Sequence, residues 1–121
     1  MGGKSYRDLV LEAKADLKAV SPQELKQRLD GGESVVVIDV REPDEWARGV
    51  IPGAHPVSRG VLEQAVDGRL PREATVVLYC AAGARSALAG RSLQEMGYAA
   101  VENLEGGFDA WARAGLPVAH L

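Results

Sequence analysis

The run Val35-Val36-Val37-Ile38-Asp39-Val40 is unbroken and mostly β-branched. It keeps no polar face for water, so it predicts a strand covered on both sides. A second run, Val76-Val77-Leu78-Tyr79, has the same character and ends in Cys80. Strands of this kind belong to sheets whose neighbours are joined by helical crossovers. The intervening segments supply the helices. Tyr6, Leu9, Val10, Ala13 and Leu17 recur at helical spacing and predict an amphipathic helix over residues 5–16. Leu17 to Val20 reads as a first short strand. Ser21-Pro22-Gln23-Glu24 is a capping box with proline at the first helical position. Its helix turns Leu25 and Leu29 inward and stops at Gly31-Gly32. Pro43 opens a short acidic helix through Trp46. Ile51-Pro52-Gly53-Ala54 is a turn signal, and a helical piece runs from Val61 to Val66. After Cys80, the residues Ala89, Leu93 and Met96 predict a helix ended by Gly97. A strand from Ala100 to Asn103 precedes Gly106-Gly107. The last helix carries Phe108, Trp111 and Ala112 on one side and stops at Gly115 and Pro117. This alternation predicts an α/β fold: a mostly parallel sheet with helices on both faces. Ligands of such sheets sit beyond the carboxyl ends of the strands, where Asp39 and Cys80 both fall.

The 121 residues are 46% apolar, enough for one domain with a core. Seventeen acids stand against fourteen Lys plus Arg, for a net charge of −3. The basic residues are scattered and aromatics are few, which argues against a nucleic-acid surface. No apolar run approaches the roughly 18 residues of a membrane span. Met1 to Tyr6 shows neither a signal-peptide apolar region nor the myristoylation pattern. A lone cysteine makes no internal disulfide, so a reducing cytoplasm is expected. His55 and His120 lie far apart without cysteine company, so no metal site is expected.

The chemistry concentrates at Cys80. A strand that ends in a small-residue loop and opens a helix turns the loop N–H groups inward. Together with the helix N-terminus they make an anion site. A sulfur held there is a stabilised thiolate, and the thiolate is the nucleophile.

Four segments, in this order, resemble the rhodanese-homology (sulfurtransferase) family. Ile38 to Trp46 resembles its "DVREPxE(F/W)" segment, and Gly49-Val50-Ile51-Pro52-Gly53-Ala54 resembles "GHIPGA". Cys80 to Ser86 resembles "CxxGxRS". Gly106 to Trp111 with Gly115-Leu116-Pro117-Val118 is the fourth. The match spans about Val20 to Val118 and leaves the N-terminal helix outside. The expected organisation is a helix over residues 1–16 and a rhodanese-like domain over 17–121. The resemblance implies a five-stranded parallel sheet and sulfur transfer through a cysteine persulfide. Cys80 takes the sulfane sulfur, and the backbone of Ala81, Ala82, Gly83, Ala84 and Arg85, with Ser86, cradles it. Asp39 and Arg41 support the loop. Partners are a small-molecule sulfur donor and a cyanide, thiol or protein acceptor; no cofactor is required.

Plainer readings stand beside these. Cys80 as a small buried hydrophobe leaves Gly83, Arg85 and Ser86 without a reason. Gly83 is a turn glycine and also keeps a Cβ out of the sulfur pocket. Arg85 either braces the loop, meets an anionic donor, or is a surface residue. Arg41 is expected to pair with a nearby carboxylate, Glu45 four residues on being one candidate. Trp46, Phe108 and Trp111 are expected in the core, His55 is a bystander, and Arg59 a solvated residue.

Some thiosulfate-active members carry cations in the loop where this chain has Ala81 and Ala82. That favours a persulfide donor over thiosulfate. Two rivals remain. A cysteine phosphatase or arsenate reductase of the same fold uses five residues between cysteine and arginine, whereas Cys80 and Arg85 are separated by four. A non-catalytic binding or regulatory module often lacks the cysteine that this chain keeps.

Overall fold

The computed structural model describes residues 2–121. The elements in chain order are α1 (Tyr6–Asp16), β1 (Lys18–Val20), α2 (Pro22–Asp30), β2 (Val36–Asp39), α3 (Pro43–Trp46) and β3 (His55–Pro56). They continue with a 3₁₀ turn (Arg59–Val61), α4 (Leu62–Val66), β4 (Val76–Tyr79), α5 (Ala84–Glu95), β5 (Val101–Leu104) and α6 (Gly107–Arg113). Helices α1 and α2 begin in capping boxes: the Ser5 and Ser21 hydroxyls accept the Asp8 and Glu24 N–H groups, and those acids reach back.

The five strands lie in the order β1-β5-β4-β2-β3, and every pairing is parallel. The two unbroken runs are neighbours: Ile38 stands opposite Leu78, and Asp39 opposite Tyr79. Both faces are covered, as such strands require. Ile38, Val40, Val76 and Leu78 pack with residues of α1, α4 and α5. Val37, Val77 and Tyr79 pack on the other side with Leu25 of α2 and Trp111 of α6. Among the described residues no helix is long and apolar enough to cross a membrane.

The fifth strand, β3, is His55–Pro56, where the sequence shows only the end of a turn. Two residues carry no periodicity; they become a strand because β2 offers an edge, with Ile38 opposite His55. Trp111 is buried, and its indole N–H donates to the Pro117 carbonyl at 2.7 Å. Trp46 and Phe108 are only half-buried. The N-terminal helix lies on α5 through Val10, Ala13 and Leu17.

Candidate active site

Cys80 follows directly on β4, and its side chain falls on the α5 face with Val76 and Leu78. Its residue is 1% exposed, so the sulfur lives among protein groups and not in bulk water. The chain then turns through Ala81 and Ala82 to Gly83, whose φ of 111° lies in the left-handed region. That turn aims the Gly83 N–H at Sγ, 3.1 Å away, and opens α5 immediately afterwards. The backbone conformation demands the glycine. A Cβ there would meet Lys14 and Asn103 at 3.7–3.8 Å, so sparing the sulfur pocket is not the reason for it.

Two features outside the loop hold it in this shape. Phe108 and Asp109, at the start of α6, donate their N–H groups to the Cys80 and Ala81 carbonyls at 2.8 and 3.0 Å. With those carbonyls engaged outward, the following amides are free to face sulfur. The approach depends on Gly107: a Cβ there would stand 2.6 Å from both carbonyl oxygens, and its φ is +59°. Gly107→Ala is therefore expected to cost on the order of 2–3 kcal/mol in a denaturant melt. It is also expected to raise the Cys80 pKa as the loop turns. An unchanged thiol titration would contradict this account of α6.

The second feature is Asn103, the chain's only asparagine, buried at the end of β5. Its Nδ2 donates to the Gly83 carbonyl at 3.2 Å, and its Oδ1 accepts the Ser86 hydroxyl at 2.7 Å. That hydroxyl also stands 3.4 Å from Sγ, and its single proton serves Asn103 or the sulfur, not both at once. Asn103 has no motif around it; its one signal in the sequence is that of a lone asparagine in a buried strand.

Burial alone pushes the Cys80 thiol up. The Ser86 hydroxyl and the amides of Ser86, Gly83 and Ala82 outweigh it, and the thiol ionises below its ordinary range. Arg85 stands close enough to share its charge with Cys80. Its guanidinium is committed to Glu45 of α3 by two bonds, at 2.7 and 2.9 Å. The pairing with Arg85 holds the Glu45 carboxyl down to about 2.

Arg41 does not pair with Glu45. It precedes α3, so helical i, i+4 spacing does not apply to it. Asp39 takes it instead: its carboxylate accepts the Arg41 backbone N–H at 2.9 Å and the guanidinium at 2.8–3.2 Å. The guanidinium also donates to the Gly49 carbonyl at 2.7 Å and lies over the Phe108 ring, 4.3 Å from its centroid. Arg41, Glu45, Arg48, Ala81, Phe108 and Asp109 line a cavity of about 270 Å³ beside the loop. His55 is exposed, and Arg59 pairs with Glu63 at 2.8 Å, both away from that cavity.

A family described as "Rhodanese-like domain" matches residues 21–114. The chain is a member of that family. This rhodanese-like domain is 40% identical over 99 residues to a protein named Sulfurtransferase from Allochromatium vinosum, across 82% of this chain and 92% of that one. A polysulfide-sulfur transferase homodimer from Wolinella succinogenes has the same fold at a TM-score of 0.80 and 38% identity, covering 96% of this chain and 88% of that one. A Rhodopseudomonas palustris protein of unknown function, called a possible tyrosine phosphatase, reaches a TM-score of 0.88 at 34% identity, covering 98% and 97%. The named transferases put the domain with rhodanese-type sulfurtransferases.

Proposed function

We propose that this domain moves a sulfane sulfur from thiosulfate or a persulfide to a thiophilic acceptor through a Cys80 persulfide. The observation that carries the reading is the convergence of the Gly83 N–H and the Ser86 hydroxyl on a buried sulfur held below its ordinary pKa. The transfer unit is residues 17–121, with the N-terminal segment that carries α1 as an added element.

The Cys80 thiolate attacks the outer sulfur of the donor. A new S–S bond forms, the donor S–S bond breaks, and its electron pair leaves with sulfite or with the donor thiolate. Cys80 then carries one extra sulfur and its negative charge. The amides of Ala82, Gly83 and Ser86 serve that anion as they serve the thiolate. A cyanide, a thiol or a partner protein's thiol removes the outer sulfur and restores Cys80. The enzyme is covalently charged between the two halves, so the kinetics are ping-pong. No general base is required once the thiol is ionised. A reducing compartment such as the cytoplasm suits a thiol with no disulfide partner.

The same geometry argues against phosphate chemistry. Arg85, the residue that would clasp a phosphate, is held by Glu45, and the loop is one residue shorter than phosphate-handling loops. Alanines at positions 81 and 82 favour persulfides over thiosulfate as donor.

Intact mass after incubation with thiosulfate or a small persulfide tests the reading. A gain of one sulfur atom is expected, faster from the persulfide and persisting below the ordinary thiol pKa of about 8.5. Hydrolysis of an aryl phosphate with no sulfur gain would establish the phosphatase instead. Neither activity would leave a binding module.

A further inference from the structure

We propose that Lys14, on the N-terminal helix, is a donor-recognition residue of the Cys80 site, where it attracts the negative charge that sulfane donors carry. The assignment rests on the sulfur-transfer reading above and adds a residue from outside the family segment, residues 21–114.

Packing brings Lys14 to the loop. Helix α1 crosses α5 where Gly90 has no side chain; a Cβ there would stand 2.6 Å from Leu17 Cδ1. Leu17 fills that gap and is buried. Further contacts fix the register: Gln94 Nε2 donates to the Asp16 carbonyl at 3.1 Å, and Glu12 faces Arg91 at 3.9 Å. Three residues before Leu17, on the same face, Lys14 then lands at the first turn of α5. Its Nζ and Cε stand 3.7 and 3.8 Å from where a Gly83 Cβ would be. Gly83 is the residue whose N–H binds the sulfur.

The charge balance around the loop gives this placement its meaning. Arg85 is paired with Glu45, and Arg41 with Asp39. Arg48 and Asp109, of opposite charge, both line the cavity beside the loop. Among the described residues Lys14 makes no ion pair, unlike Lys4 with Glu12 or Lys26 with Asp30. It is a cation beside the loop that no carboxylate of the described residues holds. Ala81 and Ala82 bring none, so the cation missing from the loop's own sequence arrives from α1. Its ammonium is exposed and strongly hydrated, which suits a charge that guides an anion in without trapping it.

The test compares wild type with Lys14→Gln and Lys14→Arg, an exposed position where substitution leaves the fold intact. Sulfur uptake from thiosulfate is followed by intact mass. Lys14→Gln is expected to slow second-order uptake on the order of fivefold through KM, Lys14→Arg to restore it, and added salt to close the gap. The second measurement needs no sulfur transfer: Cys80 alkylation by anionic iodoacetate against neutral iodoacetamide. The ratio of the two rates cancels any change in thiol ionisation, which the Ser86 hydroxyl and the Ser86, Gly83 and Ala82 amides set with Arg85 nearby. Lys14→Gln should lower the ratio several-fold. An unchanged ratio, or uptake equal to wild type, overturns the assignment of Lys14. Wild type that gains no sulfur overturns the transfer reading, and the alkylation ratio still decides whether Lys14 draws anions to Cys80.

Discussion

Cys80→Ser is expected to gain no sulfur from any donor, with transfer reduced at least about a thousandfold. A serine hydroxyl in this position accepts the same Gly83 N–H, so the fold survives while the nucleophile does not. The substitution also exposes the anion through stability. Sγ ionises below its ordinary range in the folded protein. Between the folded and unfolded pKa values the unfolded chain therefore binds more protons, and stability rises with pH there. That contribution is fully present above the unfolded thiol pKa of about 8.5 and is lost as pH falls through the folded value. Cys80→Ser lacks it. The stability gap between wild type and Cys80→Ser should widen from neutral to alkaline pH in a series of denaturant melts. A gap that ignores pH would mean that the ring of amides does not favour the thiolate.

Much of this architecture is legible in the sequence because it is written in contiguous residues. The runs at Val35–Val40 and Val76–Tyr79 announce strands covered on both faces, and the structure gives them α1, α4 and α5 on one side and α2 and α6 on the other. The capping boxes at Ser5 and Ser21 mark helix starts that the structure keeps. The loop from Cys80 to Ser86 is one segment, so its place between a strand and a helix is written locally. Its supports are harder to read, because topology delivers them. Asn103 reaches Gly83 and Ser86 only because the strand order sets β5 beside β4. Glu45 meets Arg85 across forty positions, and Lys14 meets Gly83 across sixty-nine. Arg41 pairs with a nearby carboxylate as its sequence suggests, but the partner is Asp39 and not Glu45. Its spacing to Glu45 is helical, yet it lies before α3 begins, and the nearer carboxylate of Asp39 is already buried beside it.

Asp39→Ala should be the most destabilising change near the site. Asp39 is 0% exposed and Arg41 4%, so this ion pair has left water altogether. The carboxylate answers the Arg41 backbone N–H and two guanidinium nitrogens. Without it a buried cation keeps only the Gly49 carbonyl and the faces of Phe108 and Tyr79. Removing one partner of such a pair costs about 3–5 kcal/mol, which lowers the melting temperature by roughly 10 °C or more in a domain of this size. The damage reaches the sulfur, because Phe108, under the guanidinium, is the residue whose N–H holds the Cys80 carbonyl. At a temperature where the variant is still folded, sulfur uptake should fall and the Cys80 pKa should rise toward its ordinary value. The double variant Asp39→Ala with Arg41→Met separates the two effects. A buried pair replaced by apolar groups of similar size is often neutral, so much of the lost stability should return. Uptake should not, since methionine restores neither the stacked guanidinium nor its bond to Gly49. Recovery of both together would mean that the pair matters only for folding, and an Asp39→Ala melt within about 1 kcal/mol of wild type would mean that water reaches it.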